Sequence, residues 1–153
     1  MDSSVKDLRK KVYDRITEAN IEKNELKRLV NDKIDELLLG FGDSKEVSIT
    51  FDELKLFKLG ERNYINEGVY FEKIEESNNY QKFLTYASSG STFGVHYHDC
   101  IEKTKVINGS LIEKTRGYKT YEEGQEVIYA SKERHVPYAP TDSVWEVTFY
   151  KNI

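Results

Sequence analysis

The rhythm of hydrophobic and polar positions changes near residue 41. Within residues 1–40, Val5, Leu8, Val12 and Ile16 form one apolar stripe at spacings of three and four, and Leu26, Val30, Ile34 and Leu37 form a second. That period predicts amphipathic helix. Ser4 followed three residues later by Asp7 fits a capping box, with Asp in place of the usual Glu. The two registers do not join smoothly across Ala19–Asn24, so two helices and one kinked helix both fit. Gly40-Phe41-Gly42-Asp43 reads as a helix stop followed by a turn. The chain therefore divides into a helical arm over 1–40 and a body over 41–153.

In the body the period falls to two. Val47–Phe51, Val69–Ile74, Lys82–Tyr86, Lys105–Glu113, Glu126–Ala130 and Val144–Tyr150 alternate apolar with polar and are rich in Val, Ile, Thr, Tyr and Phe. Those residues suit a pleated, half-buried surface and predict strands. Turn residues punctuate them at Gly60, Ser77-Asn78-Asn79, Ser88-Ser89-Gly90-Ser91, Gly117, Gly124 and Pro140, and Asn108-Gly109 carries the strongest hairpin signal. Many short strands at this spacing predict a mainly β fold, an antiparallel sandwich or barrel, preceded by the α-helical arm. No phosphate loop and no dinucleotide fingerprint interrupts them.

Composition narrows the class. Of 153 residues 33% are charged and 38% hydrophobic, yet 12% are aromatic, including 11 Tyr and 7 Phe. Disordered chains are poor in aromatics, so the charge belongs to a solvated surface around a core. No apolar run approaches the ~20 residues of a membrane span, so no membrane partner is expected. The N-terminal stretch MDSSVKDLRKKVYD has no apolar core of a secretory leader, and Cys100 is the single cysteine. Both point to a reducing, cytoplasmic compartment. Net charge is −4. Nucleic-acid binders carry a basic excess, so a nucleic-acid partner is not expected, and the evenly charged arm is a poor helix-turn-helix.

The candidate chemistry lies in the 3 histidines. His96 and His98 are two apart, so on a strand both imidazoles reach the same side. Glu102 follows His98 by four and can return to that point after a short turn. The third histidine is His135. Imidazole nitrogens and a carboxylate oxygen suit a borderline divalent metal: Fe, Mn, Ni, Zn or Cu.

These spacings resemble the cupin family of small double-stranded β-helix, or jelly-roll, barrels. Gly90, five intervening residues, His96-Tyr97-His98, three more, Glu102, six more and Gly109 match every fixed position of the first cupin motif. Gly124 opens the second motif and His135 falls at its histidine. Ala130, Lys132 and Ala139 stand where that motif has Pro, Gly and Asn, and 14 residues separate Gly109 from Gly124.

The resemblance implies a metal held by His96, His98, Glu102 and His135, with two coordination positions open to a small polar chelating ligand or substrate. Tyr138, Arg134 and Cys100 are the candidate substrate contacts, although strand alternation turns Tyr97 and Arg134 away from the histidines. Catalytic residues beyond the metal set are not identifiable. The family hosts oxygenases, isomerases, decarboxylases and non-catalytic sensors, and fold alone does not choose among them. A metal-dependent enzyme, a ligand-binding or sensing module, and an assembly protein all remain open. The apolar stripes of the arm call for a covering surface, and cupins commonly pair, so a homodimer or higher homo-oligomer is expected.

Overall fold

A computed structural model of the chain describes residue 32, residues 47–66 and residues 68–151. The expected helical arm lies outside these residues apart from Asp32.

The strands are β1 (Val47–Ile49), β2 (Arg62–Asn66), β3 (Val69–Glu76), β4 (Tyr80–Ala87), β5 (His96–His98), β6 (Ile101–Asn108), β7 (Ser110–Glu113), β8 (Lys119–Glu122), β9 (Glu126–Tyr129), β10 (Pro137–Tyr138) and β11 (Ser143–Tyr150). A six-stranded sheet runs β2-β3-β4-β11-β6-β9, and a three-stranded sheet runs β10-β7-β8. Both are antiparallel throughout. A parallel pair, β1 with β5, places Ile49 beside His98. Single bridges, His96 with His135 and Thr92 with Tyr138, tie the smaller elements together.

Alternation in the sequence becomes alternation in burial. Gln81, Phe83, Thr85 and Ala87 of β4 are buried, as are Trp145, Val147 and Phe149 of β11. Phe83 meets Phe71 and Phe149 edge-on, each at a centroid distance of 5.8 Å, and Phe57 meets Phe71 at 5.0 Å. Such aromatic pairs add ~0.5–1.5 kcal/mol each beyond the area they bury.

Two local expectations give way to competing chemistry. The alternation over Val47–Phe51 predicts one strand, but β1 stops at Ile49 and a short helix, α1 (Phe51–Leu54), begins. Thr50 caps it: its hydroxyl accepts from the Glu53 N–H while the Glu53 carboxylate accepts from Thr50 N–H, at 3.2 and 3.1 Å. This capping box overrides the alternation. Asn108-Gly109 does not close a hairpin either. β6 pairs with β11 and β9, whereas β7 pairs with β8 and β10, so the chain changes sheets at Gly109. Gly109 has φ of 80°, and a Cβ there would lie 2.3 Å from Ser143 Oγ and 2.5 Å from Asp142 O. The glycine is required by this crossing and the close passage of β11 rather than by a two-residue turn.

Among the described residues no helix is long and apolar enough to cross a membrane.

Candidate metal centre

β5 is only three residues long and carries two of the expected ligands, with burial buried–intermediate–buried. His96 and His98 face inward and Tyr97 between them does not. Glu102, on the inner face of β6, is buried, and so is His135, which bridges back to His96 by paired backbone hydrogen bonds. One potential ligand atom from each of these four residues lies within 4.8 Å of all the others, a group that could hold a metal ion.

The side chains are oriented for that task. Each Nδ1 faces a backbone carbonyl, which can only accept: Gly94 O for His96 at 2.8 Å, Ile49 O for His98 at 2.9 Å and Glu133 O for His135 at 3.1 Å. Each Nδ1 therefore carries an N–H toward its carbonyl, and the ring turns its Nε2 the other way. The Nε2 atoms of His98 and His135 are buried with no hydrogen-bond partner. They stand 3.2 and 3.3 Å from Glu102 Oε1. Buried polar atoms left without partners are uncommon, and here two of them converge with a carboxylate. Thr104 Oγ1 donates to the second carboxylate oxygen, Oε2, at 2.9 Å and fixes the plane of Glu102. The donor set and its orientation fit a divalent metal.

Electrostatics agrees with this. Burial, reinforced by His135 and His98, holds His96 well below the usual imidazole range, so it is neutral. Burial alone would raise Glu102, but the His135 and His98 imidazoles outweigh it and hold the carboxyl well below its usual range. Burial lowers His135, and Glu102 more than reverses the effect. The centre is a carboxylate waiting on positive charge.

The cluster lies against a cavity of about 70 Å³ between the two sheets. No family model matches the sequence, and no curated protein does. Solved structures do resemble it. A cupin of Shewanella frigidimarina superposes with a TM-score of 0.56 at 18% identity, covering 63% of this chain and 90% of that one. The chain has the cupin fold. An acetylacetone dioxygenase from Acinetobacter johnsonii covers 56% of this chain and 61% of its own at 18% identity, with a TM-score of 0.50. A chain from the complex of Rhodobacter sphaeroides SigE with the anti-sigma ChrR covers 57% of this chain and 47% of its own length at 19% identity, with a TM-score of 0.52.

The three motif glycines, Gly90, Gly109 and Gly124, all have positive φ. Lys132, standing in the place of the fourth, keeps a glycine-like φ of 65°. Its N–H donates to His98 O at 2.6 Å and closes the turn onto β5. The turn lacks the motif's proline and glycine but has another support. Glu133 accepts from Ala130 N–H at 3.0 Å and pairs with Arg116 at 2.9 Å.

Cys100 is buried and its thiol is pushed up to about 12, chiefly by burial. Arg134 lies over the Tyr97 ring at 5.1 Å, and Lys114 lies over the Tyr138 ring at 5.2 Å. None of Cys100, Arg134 and Tyr138 is among the described residues lining the cavity.

Sequence reasoning missed Tyr129 and Glu113. Tyr129 stacks on His135, and its hydroxyl donates to Glu113 Oε1 at 2.7 Å. Glu113 is fully buried, and its Oε2 accepts from Val136 N–H at 2.8 Å and from Thr115 Oγ1 at 2.7 Å. A carboxylate at an inward position of β7 was the available signal.

Proposed function

We propose that this cupin is a metal-dependent enzyme acting on a small chelating substrate, with His96, His98, Glu102 and His135 as the metal ligands. The observation that carries the reading is the orientation of the imidazoles: every Nδ1 engaged by a carbonyl, the Nε2 atoms of His98 and His135 3.2 and 3.3 Å from Glu102 Oε1, and a cavity beside the cluster. A divalent transition metal (Fe, Mn, Ni, Zn or Cu) would supply Lewis acidity to a chelated oxygen or, as iron, activation of dioxygen. The chain's own contribution is positional. The Gly94, Ile49 and Glu133 carbonyls fix the tautomers, Thr104 fixes Glu102, and aromatic side chains wall the space beside them.

One neighbour is described as an acetylacetone dioxygenase, which supports the enzyme reading. The second reading, a non-catalytic module that signals metal or ligand state, draws support from the neighbour solved in a sigma–anti-sigma complex. The apolar cavity beside the cluster, with room for a small ligand, favours the enzyme. We place the protein in the reducing cytoplasm as a homodimer or higher homo-oligomer, on the strength of the lone cysteine and the amphipathic arm sequence.

Elemental analysis of protein purified without an affinity tag tests the reading. One equivalent of a first-row divalent metal per chain is expected, lost in His96→Ala and His135→Ala while circular dichroism stays that of a β barrel. Metal-free protein that takes up none of these ions overturns it. Turnover of chelating substrates by the loaded protein separates the enzyme from the sensor.

A further inference from the structure

The wall of the cavity says what kind of molecule it takes. Outside His96, His98 and Glu102, the described lining residues are aliphatic or aromatic side chains apart from Thr85, Thr104 and Tyr129. The Thr104 hydroxyl is engaged by Glu102 and the Tyr129 hydroxyl by Glu113. Among the described residues no lysine or arginine lines it. Lys73, the one fully buried lysine among the described residues, donates to Glu76 at 2.8 Å and does not reach the cavity. An ionised group brought into such a wall finds no partner, and burying an unpaired charge is strongly unfavourable. The volume, about 70 Å³, has room for on the order of five waters at ~10–15 Å³ each.

We infer that the substrate has one oxygen-chelating head and a small, uncharged, apolar body, and that polyanionic acids, sugars and sugar phosphates are excluded. The head addresses the candidate metal ligands, and the body lies among Phe83, Phe93, Leu111, Trp145 and Phe149. This differs from the polar substrate expected from the sequence. The inference rests on the metal-binding reading for the head, but the statement about the body depends on the wall alone.

Two experiments separate those parts. In the first, Zn(II)-loaded protein is titrated with butyrohydroxamate and with succinate monohydroxamate, which share the chelating head and differ in ending as methyl or carboxylate. Trp145 is the single tryptophan and lines the cavity, so its fluorescence reports binding. Butyrohydroxamate is expected to bind about tenfold tighter or better, and Thr85→Lys, which sets a cation in the wall, is expected to reverse that preference. Equal affinities, or tighter binding of the carboxylate by the unaltered protein, overturn the inference. In the second, crystals of metal-free protein are pressurised with xenon, which enters dry apolar cavities. Xenon among Phe83, Trp145 and Phe149 supports the inference, and ordered water in its place overturns it. Failure to load Zn(II) counts against the metal reading, and the xenon experiment still decides the nature of the wall.

Discussion

Tyr129 lies flat against His135, with ring centroids 4.1 Å apart and planes 19° from parallel, while its hydroxyl reaches back to Glu113. The stack presses one candidate ligand into place, and the hydroxyl helps satisfy a fully buried carboxylate. Tyr129→Phe keeps the ring and removes the donor, leaving Glu113 Oε1 without this bond. The expected loss is about 1–3 kcal/mol of stability, read as a lower urea midpoint at unchanged slope. A midpoint equal to that of the unaltered protein would show that Glu113 does not depend on this hydroxyl.

Lys132 holds a glycine's conformation without being one. A non-glycine residue in the left-handed region is disfavoured by ~1–2 kcal/mol, while a glycine adds ~0.5–1 kcal/mol of unfolded-state entropy. The lysine side chain is exposed, so little packing is lost with it. Lys132→Gly should stabilise the domain by about 0.5–1 kcal/mol, raising Tm by a few degrees. A lower Tm would mean that the exposed lysine makes a contribution larger than its backbone strain.

The two cases show where the sequence was readable. The candidate ligands sit at fixed local offsets around a three-residue strand, so the grouping of His96, His98 and Glu102 was legible from alternation and spacing alone. β3, β4, β9 and β11 followed from alternation too. The failures share one cause, in that local pattern does not report which sheet a strand joins. Lys105–Glu113 reads as one alternating stretch with a turn inside it, yet its halves belong to different sheets. Val47–Phe51 alternates, but Thr50 and Glu53 cap a helix there. The Ile49 carbonyl that orients His98 lies 49 residues away, and the apolar cavity wall is assembled from several strands. Neither is visible until long-range pairing is known.

Cys100 gives a pH dependence with a definite sign. Burial is the main cause of its shift from 9.0 to about 12, with the Asp99 and Glu102 charges adding to it. Between those values the unfolded chain releases the thiol proton and the folded chain keeps it, so the folded state binds more protons and loses stability as pH rises. The slope is about 1.4 kcal/mol per pH unit above pH 9. Cys100→Ala removes this contribution, so the stability gap between the two proteins should shift by about 2 kcal/mol between pH 9 and 10.5. A gap that stays constant over that range would show that the thiol titrates normally in the fold. Native protein at pH 8 should likewise resist iodoacetamide and react once unfolded in urea.

Arg116 reaches the candidate centre through a neighbour's backbone. Its guanidinium contacts both Glu133 carboxylate oxygens at 2.9–3.2 Å, donates to Ile128 O at 2.6 Å and covers the Tyr129 ring at 5.1 Å. Glu133 in turn presents the carbonyl that fixes the His135 tautomer, in the turn that lacks the motif's proline and glycine. The ion pair is about one-third exposed on both sides, so as a salt bridge alone it contributes little, ~0–1 kcal/mol. Its larger effect should appear in metal affinity, because groups that orient a ligand from behind typically change binding ~10–100-fold. Arg116→Ala is therefore expected to weaken metal binding by about tenfold or more in competition with a chelator, with a small fall in stability. Arg116→Lys, which keeps the charge but not the forked donors, should recover only part of the affinity. Loss of stability with metal affinity unchanged would confine Arg116 to holding the turn together.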